Sequence, residues 1–368
     1  MANILIPIAE PVIGKEEEEL VLDGLRSGWI SSSGKYIAEF EQQFAKFCNT
    51  KYAITTSNGT TALHLALLAA GIGPDDEVIV PSMTFVATAN AVVYTGAKPI
   101  FVDSELESWN IDPEKIKERI NRKTRAIIPV HLYGHPANMG QIMNIAKKYG
   151  LLVIEDAAEA HGALYRGKKA GSIGDMACFS FFANKVITTG EGGMITTNNK
   201  LFAQKIRMYR DHGVSKKRKY YHPHLGFNYR MTNLQAALGL AQIRKVESIL
   251  EKKIEIAQTY KKGLADLVPR ITLQPEASWA KNIFWMYSIL VPKDGLKSRD
   301  FLIKELAKKG IESRPFFFPI HRLARFNCED SLPNADYLAA TGINLPSSPN
   351  LKKEQIGLIC KSILDILG

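Results

Sequence analysis

Residues 52–102 read YAITTSNGTTALHLALLAAGIGPDDEVIVPSMTFVATANAVVYTGAKPIFV, and this stretch decides the fold. Short runs rich in β-branched residues predict strands at 52–55, 77–80 and 99–102. The segments between them, 60–70 and 84–95, place apolar residues at helical spacing. Strands that alternate with helices predict a mostly parallel sheet whose two faces are covered by helices.

The same alternation continues to about residue 197. Four further strands are predicted, with a helix at 139–149 between the first two of them: 126–130, 152–155, 177–181 and 193–196. Two helical patterns, 15–27 and 36–48, precede the first strand. We therefore expect an α/β domain with a seven-stranded sheet, in which ligands bind beyond the carboxyl ends of the strands.

A different pattern begins after this region. A long helical stretch from Asn233 to about Leu267 is followed by a mixture of predicted strands and helices: strands at 284–291 and 311–316, and helices at 299–308 and 353–366. Such a mixture is typical of a smaller α+β domain. We place the boundary near Lys245, which gives a large domain at 1–245 and a small one at 246–368.

Composition is that of an ordinary globular protein, with 368 residues of which 46% are hydrophobic. The four cysteines lie far apart in apolar surroundings, without the spacing of a metal site, and are expected to be reduced thiols: Cys48, Cys178, Cys328 and Cys360. Residues 1–7 lack the basic and apolar regions of a signal peptide, and no apolar run is long enough for a membrane span. We expect a cytoplasmic protein.

The net charge of +10, from 47 basic and 37 acidic residues, raises nucleic-acid binding as a rival function. The basic residues are spread along the chain, and no basic helix-turn-helix segment is found. One dense run, Lys216–Lys219, precedes two tyrosines and His222. It is either a solvated loop or a cationic loop that binds the diphosphate of a small substrate, with Lys219 as a contact.

The first candidate site motif follows the strand at 52–55. Ser57, Asn58, Gly59 and Thr60 form a small polar turn before a helix. Gly59 allows the backbone to approach an anion, and the free N–H groups at a helix start point towards it. The alternative is a helix cap without a ligand.

The second motif is acidic and ends the strand at 152–155. Asp156 directly follows the strand, and Glu159 lies one helical turn further on. A carboxylate here could bind a metal, act as a base or pair with a cationic heterocycle such as a protonated pyridine ring. The alternative is an N-capping Asp followed by a solvated Glu.

The third motif contains a single lysine. Lys185 follows an aromatic strand and precedes the glycine-rich turn 188–193. A desolvated lysine has a lowered pKa and becomes an amine nucleophile, and Ser180 from the same segment could donate to a phosphate. Phe85, just past the end of another strand, could stack on an aromatic ring, although a lone phenylalanine is more often a core residue.

These motifs, in this order, resemble the sugar aminotransferases of the DegT/DnrJ/EryC1/StrS family, which have the aspartate-aminotransferase (type I) fold. The resemblance extends from about Pro7 to the C-terminus. It implies that pyridoxal 5'-phosphate (PLP) forms a Schiff base with Lys185, that the pyridoxamine form (PMP) occurs during turnover, and that Asp156 pairs with the ring nitrogen. A related branch of the family has histidine in place of the lysine and dehydrates sugars, so Lys185 favours transamination.

Four stretches look closest to the family members that aminate a GDP-linked 4-keto-6-deoxy sugar with L-glutamate: 130–136, 155–161, 227–234 and 312–319. This similarity implies a homodimer in which Asn228 crosses to the partner's cofactor phosphate, while Arg230 and Arg314 lie near the substrate. His161 and His321 are further candidate substrate contacts, since no histidine spacing matches a metal site.

Two positions depart from the pattern of this group: Ala183 replaces a common glycine, and Phe318 replaces a common tyrosine. The loss of the tyrosine hydroxyl bears on which sugar is bound. A UDP- or dTDP-linked keto hexose remains the alternative substrate.

Overall fold

The computed structural model describes residues 5–215, 217–292, 297–326 and 328–368. Residues 1–4 of the N-terminal segment and Lys216 of the basic run lie outside the described residues. In the part of the chain that is described, no helix is both long and apolar enough to span a bilayer.

The first half of the chain alternates strands with helices. The helices are α1 (Lys15–Arg26), α2 (Lys35–Cys48), α3 (Gly59–Ala70), α4 (Ala87–Tyr94), α5 (Pro113–Arg119), α6 (Met139–Tyr149), α7 (Lys200–Arg210) and α8 (Asn233–Arg244). The strands are β1 (Tyr52–Thr56), β2 (Glu77–Pro81), β3 (Lys98–Val102), β4 (Thr124–Ile127), β5 (Leu152–Asp156), β6 (Leu164–Tyr165), β7 (Lys168–Lys169), β8 (Met176–Ser180) and β9 (Gly193–Thr197).

Seven of these strands form one sheet in the order β1-β9-β8-β5-β4-β2-β3. β9 is antiparallel to both of its neighbours, and the other neighbouring pairs are parallel. The prediction of a mostly parallel seven-stranded sheet is confirmed. Because β1, β8, β5 and β2 run in the same direction, the polar segments that follow them meet at one edge of the sheet.

The second half of the chain builds an antiparallel sheet with helices. Its elements are α9 (Val246–Gly263), β10 (Thr272–Leu273), β11 (Ala280–Lys281), β12 (Tyr287–Leu290), α10 (Arg299–Lys308), β13 (Arg314–Pro315), α11 (Pro333–Thr341), β14 (Gly342–Leu345) and α12 (Lys353–Leu367). Four of the strands pair in the order β10-β12-β14-β13. β11 instead pairs with β6 of the first half, and β6 pairs with β7.

Three predictions for this half are wrong in detail. The long helix predicted from Asn233 is two helices, since Lys245 leaves the helical conformation at φ −110° and ψ 9°. The strand predicted at 284–291 begins only at Tyr287, because Phe284 has a left-handed backbone with φ +49° that a strand cannot contain. Of the strand predicted at 311–316, only Arg314–Pro315 forms a strand, β13, which pairs with β14.

Buried apolar side chains form a main core and a smaller cluster at the seven-stranded sheet, and a second core around the antiparallel sheet. The second core combines residues from α9, α10 and α12 with Ile6, whose backbone forms a parallel bridge with Ile311. Trp285 and Phe316 belong to the main core although they lie in the second half of the sequence. The segments around 285 and 316 therefore reach the edge where the strands of the large sheet end.

Candidate active site

A cavity of about 500 Å³ lies at the carboxyl edge of the large sheet. Most of the residues predicted from the three motifs line it, together with Arg314: Asn58, Gly59, Thr60, Phe85, Asp156, Glu159, Ser180 and Lys185. The sheet order explains this, because β1, β8, β5 and β2 deliver these segments side by side. Segments far apart in sequence thus form one site.

The turn between β1 and α3 is both a helix cap and an open anion site. The Asn58 side chain caps α3 by accepting a hydrogen bond from the Thr61 N–H at 2.9 Å. Within the described residues, the N–H groups of Gly59 and Thr60 carry no hydrogen bond and remain free at the helix start. A Cβ atom at Gly59 would lie 2.9 Å from the Ser180 Cβ, so only glycine lets the turn pack against β8. Ser57 instead bonds internally, through its hydroxyl to Thr61.

Lys185 projects into the cavity from the loop after β8. Its side chain is 12% exposed, and Nζ lies 3.6 Å from Oε1 of Glu159. Nζ also lies 3.8 Å from the centre of the Trp285 ring. Burial lowers the pKa of the Lys185 amine, while the carboxylates of Glu159 and Asp156 partly oppose that shift. The lysine therefore has the environment of a nucleophilic amine.

The two acids of the second motif are held by hydrogen bonds inside the cavity. Asp156 accepts a hydrogen bond from the Thr88 hydroxyl at 2.7 Å. Glu159 accepts one from the Tyr133 N–H at 2.8 Å. Burial raises the pKa of both carboxyls, that of Glu159 to about 7, against the lowering effect of Lys185 on Glu159. Both acids are therefore built into the site and are not solvated surface groups.

The neighbouring acid, Glu155, faces the other side of the strand. It bonds to His131 at 2.9 Å and accepts backbone N–H groups from the turn after β7, at Gly171, Ile173 and Gly174. These hydrogen bonds lower the pKa of Glu155 although burial opposes them. Alternation along a strand explains the division, since successive side chains point to opposite faces. Asp156 faces the cavity, and Glu155 anchors a loop.

Both histidines proposed as substrate contacts are buried away from the cavity lining. His161 packs among Phe44, Phe179 and Phe181, and burial lowers its pKa to about 3. The turn after Glu159 directs this ring into the core, which the sequence around it did not indicate. His321 lies 2.6 Å from the Ser82 hydroxyl through Nδ1 and links two loops.

The other predicted contacts also lie outside the cavity lining of this single chain. Asn228 accepts a hydrogen bond from Nε of Arg230 at 2.9 Å, and Arg230 pairs with Asp211 at 3.0 Å. Lys219 lies on the surface, 5.0 Å from the Tyr220 ring. The sequence predicts that Asn228 contacts the cofactor phosphate of a second subunit. The arrangement within one chain does not test that prediction.

Several residues at the site were not predicted from the sequence. They include Trp285, Phe317 and Glu191, which line the cavity, and Thr88, which bonds to Asp156. Thr88 is a polar residue in the otherwise mostly apolar helix α4, which was the available signal. Trp285 and Phe317 are aromatic residues in apolar segments and read as ordinary core residues. Phe317 packs against Phe85 with ring centres 5.7 Å apart, so Phe85 forms an aromatic wall rather than a lone core side chain.

Comparison with known proteins agrees with this geometry. The profile of the DegT/DnrJ/EryC1/StrS aminotransferase family matches residues 11–364. GDP-perosamine synthase of Caulobacter vibrioides is 47% identical over 364 residues, covering 98% of each chain. GDP-perosamine synthase of Escherichia coli O157:H7 is 47% identical over 359 residues, covering 97% of each chain. The PLP-form structure of Spr1654 from Streptococcus pneumoniae superposes with a TM-score of 0.92 at 29% identity, covering 98% of each chain.

Proposed function

Because the chain belongs to the DegT/DnrJ/EryC1/StrS aminotransferase family, we propose that it converts GDP-4-keto-6-deoxy-D-mannose to GDP-perosamine with L-glutamate as amino donor. The single observation that carries the reaction type is the buried amine of Lys185 beside the carboxyl of Glu159, in a cavity that Asp156 also lines. The product would be a building block for O-antigen or a related polysaccharide. A UDP- or dTDP-linked keto hexose is the second candidate substrate.

The residues of the cavity fit the PLP on which this family depends. The free N–H groups of Gly59 and Thr60 and the Ser180 hydroxyl suit a phosphate, and the missing Cβ at Gly59 lets the turn lie directly against Ser180. Asp156 offers a carboxylate to a protonated pyridine nitrogen, and Phe85 offers an aromatic face to the ring. Bound PLP supplies an electrophilic carbonyl carbon and a ring that accepts the electrons released at the substrate carbon.

Lys185 has two tasks in this proposal. Its amine attaches the cofactor, and it then carries a proton to and from the carbon that exchanges the amino group. Burial favours the neutral amine, which can accept a proton, and Glu159 at 3.6 Å stabilises the ammonium that results. Positioned proton transfer of this type is worth ~10²–10⁴-fold in rate.

Asp156 and Glu159 have different electrostatic roles in this proposal. The Thr88 hydroxyl and the Ala158 N–H hold Asp156 at 2.7 and 3.2 Å and favour its ionised form against burial. Glu159 is fixed by the Tyr133 N–H and remains within reach of Lys185. An ionised Asp156 would keep the ring nitrogen protonated, whereas Glu159, whose carboxyl lies beside Lys185, would form a hydrogen bond with the ring hydroxyl.

The substrate side of the cavity is cationic and aromatic. Arg314 lines it and is oriented by Glu312, which accepts from Nε and Nη2 at 3.0 and 2.8 Å. A guanidinium held in this way suits a carboxylate or a phosphate oxygen, so Arg314 could bind the donor or the nucleotide. The choice of GDP is supported by the names of the two relatives at 47% identity.

The proposal includes a cytoplasmic homodimer with shared active sites and the domain division 1–245 and 246–368. The break between α8 and α9 at Lys245 supports that boundary. Asn228 and Arg230 lie together on a half-exposed segment after the basic loop, where a second chain could receive them. His161, His321 and Lys219 have less support as substrate contacts, since they lie away from the cavity lining.

The decisive experiment incubates PLP-loaded protein with ¹⁵N-labelled L-glutamate and a panel of GDP-, UDP- and dTDP-linked keto sugars. Mass spectrometry then follows transfer of the label to each sugar nucleotide. We expect labelled amine on the GDP-linked 4-keto-6-deoxy sugar. Transfer to a UDP or dTDP sugar alone would establish the second candidate, and no transfer to any sugar would contradict the proposed function.

A further inference from the structure

Trp285, which was not predicted from the sequence, contacts Lys185. Nζ of Lys185 lies over the face of the indole ring, 3.8 Å from its centre. The indole N–H donates a 2.8 Å hydrogen bond to the backbone carbonyl of Asn184, the residue before the lysine. The ring therefore contacts both the side chain of Lys185 and the backbone that carries it.

Tyr133 and Gly134 also pack against Trp285. The Tyr133 ring is stacked on it at an angle of 20°, with centres 6.2 Å apart. Gly134 has φ +99°, and a Cβ there would lie 2.8 Å from the Trp285 backbone nitrogen. A side chain at residue 134 would push the tryptophan away from its position, so the local backbone is shaped around it.

The backbone of Trp285 is fixed by a buried lysine from α9. Lys253 is 4% exposed, and its Nζ donates 2.6 Å hydrogen bonds to the carbonyls of Trp285 and Ser347. Within the described residues, no carboxylate pairs with this amine. A buried amine is costly to desolvate, so its two backbone acceptors are needed to satisfy it. Through them Lys253 links α9 to Trp285 and to the segment that follows β14.

We propose that Trp285 is a positioning residue that holds the Lys185 ammonium against its ring face, and that Lys253 fixes Trp285 in that place. This inference rests on the proposed role of Lys185. An indole face attracts a cation through its negative quadrupole, and the attraction is larger in a site from which water is excluded. Among the described residues, the charges of Glu159 and Asp156 act on Lys185, His161 lies near it, and Glu191 and Arg314 line the same cavity. Trp285 carries no charge, so its effect on Lys185 adds to that of the two carboxylates.

The test uses the apoprotein and needs neither sugar nor cofactor. Tryptophans with one to four fluorine atoms are incorporated at position 285 by nonsense suppression, which weakens the quadrupole at nearly constant ring size. The pKa of Lys185 is measured by competitive acetylation across a pH series, with exposed Lys252 as the internal reference. We expect the pKa of Lys185 to fall stepwise by about half a unit to one unit, while Lys252 stays constant.

Lys253→Met tests the second half of the proposal, with Lys261→Met, at an exposed lysine of the same helix, as the matched control. In Lys253→Met, the fluorine dependence of Lys185 should disappear, because the ring is no longer held over the amine. If Lys253→Met does not fold, Lys253→Gln retains one donor and should show an intermediate dependence.

A Lys185 pKa that ignores fluorination would overturn the role of Trp285. A full fluorine dependence in Lys253→Met, whatever its melting temperature, would overturn the role of Lys253. Failure of the proposed function is distinguishable, since it would appear as absent amino transfer with the fluorine dependence intact.

Discussion

The Thr88 hydroxyl donates a 2.7 Å hydrogen bond to Oδ2 of Asp156 and so joins helix α4 to the carboxyl end of β5. This bond favours the ionised carboxylate against a burial that raises its pKa. Thr88→Val keeps the shape but removes the donor, so the affinity for PLP should fall about tenfold. The Kd is measured by absorbance titration of the apoprotein. Thr88→Ser should bind like the wild type, and an equal loss in both variants would assign the effect to methyl packing.

Replacement of Lys185 tests the attachment of the cofactor. Lys185→Ala should lose the near-visible absorbance of the PLP-loaded protein and all measurable turnover, since no other lysine lines the cavity among the described residues. The exposed lysine variant Lys147→Ala is the control and should keep both signals. Retention of absorbance and turnover in Lys185→Ala would show that the lysine has been assigned the wrong role.

The raised pKa of Glu159 predicts how the free energy of unfolding depends on pH. Burial raises its pKa to about 7 from 4.5, so between these values the folded protein binds a proton that the unfolded chain has lost. The free energy of unfolding therefore falls as pH rises through this window. Relative to wild-type apoprotein, Glu159→Gln should gain on the order of 1–3 kcal/mol between about pH 5 and about pH 8. Urea unfolding measures this difference, and exposed Glu114→Gln should show no such gain.

Gly59 and Gly73 form a matched pair for testing the phosphate turn. A Cβ at Gly59 would meet the Ser180 Cβ at 2.9 Å, whereas one at Gly73 would have no neighbour within 4 Å. Gly59→Ala should lower stability by about 1–3 kcal/mol through overpacking and weaken PLP binding at the same time. Gly73→Ala should leave both unchanged. Normal PLP affinity in Gly59→Ala would argue against this turn as the phosphate site.

Mixing two inactive variants tests whether the active sites are shared. If Asn228 of one subunit serves the cofactor of the other, a mixed dimer of Lys185→Ala and Asn228→Ala chains contains one intact site and one doubly altered site. Coexpression should then restore turnover that neither variant shows alone. Unchanged low turnover in a mixed dimer, verified by two affinity tags, would indicate that each chain builds its own complete site.

The sheet and the three site motifs could be predicted because each depends on local sequence. A strand that ends in Asp156, a turn at Gly59 and a lysine after an aromatic strand all leave a signal within a few residues. Because the strands before these motifs run in the same direction, the residues of all three motifs meet at one edge of the sheet. The cavity lies at that edge.

What could not be predicted depends on packing between distant segments. The break at Lys245 leaves the helical spacing of apolar residues almost unchanged, so two helices read as one. Trp285 gives no more signal than any core aromatic until the fold places its ring over Lys185. His161 lies beside the acidic motif in the sequence and was therefore predicted as a site residue. Its ring instead packs among buried phenylalanines.

The bridge between Ile6 and Ile311 has a consequence for how the protein is made on the ribosome. Ile6 packs into a core whose other members come from α9 onwards, so it is translated before any of them. The large sheet can assemble while the chain is still growing, whereas the segment around Ile6 must wait until α9 to α12 have emerged. Completion of the second core can therefore follow assembly of the large sheet, and it joins two segments that are far apart in the sequence.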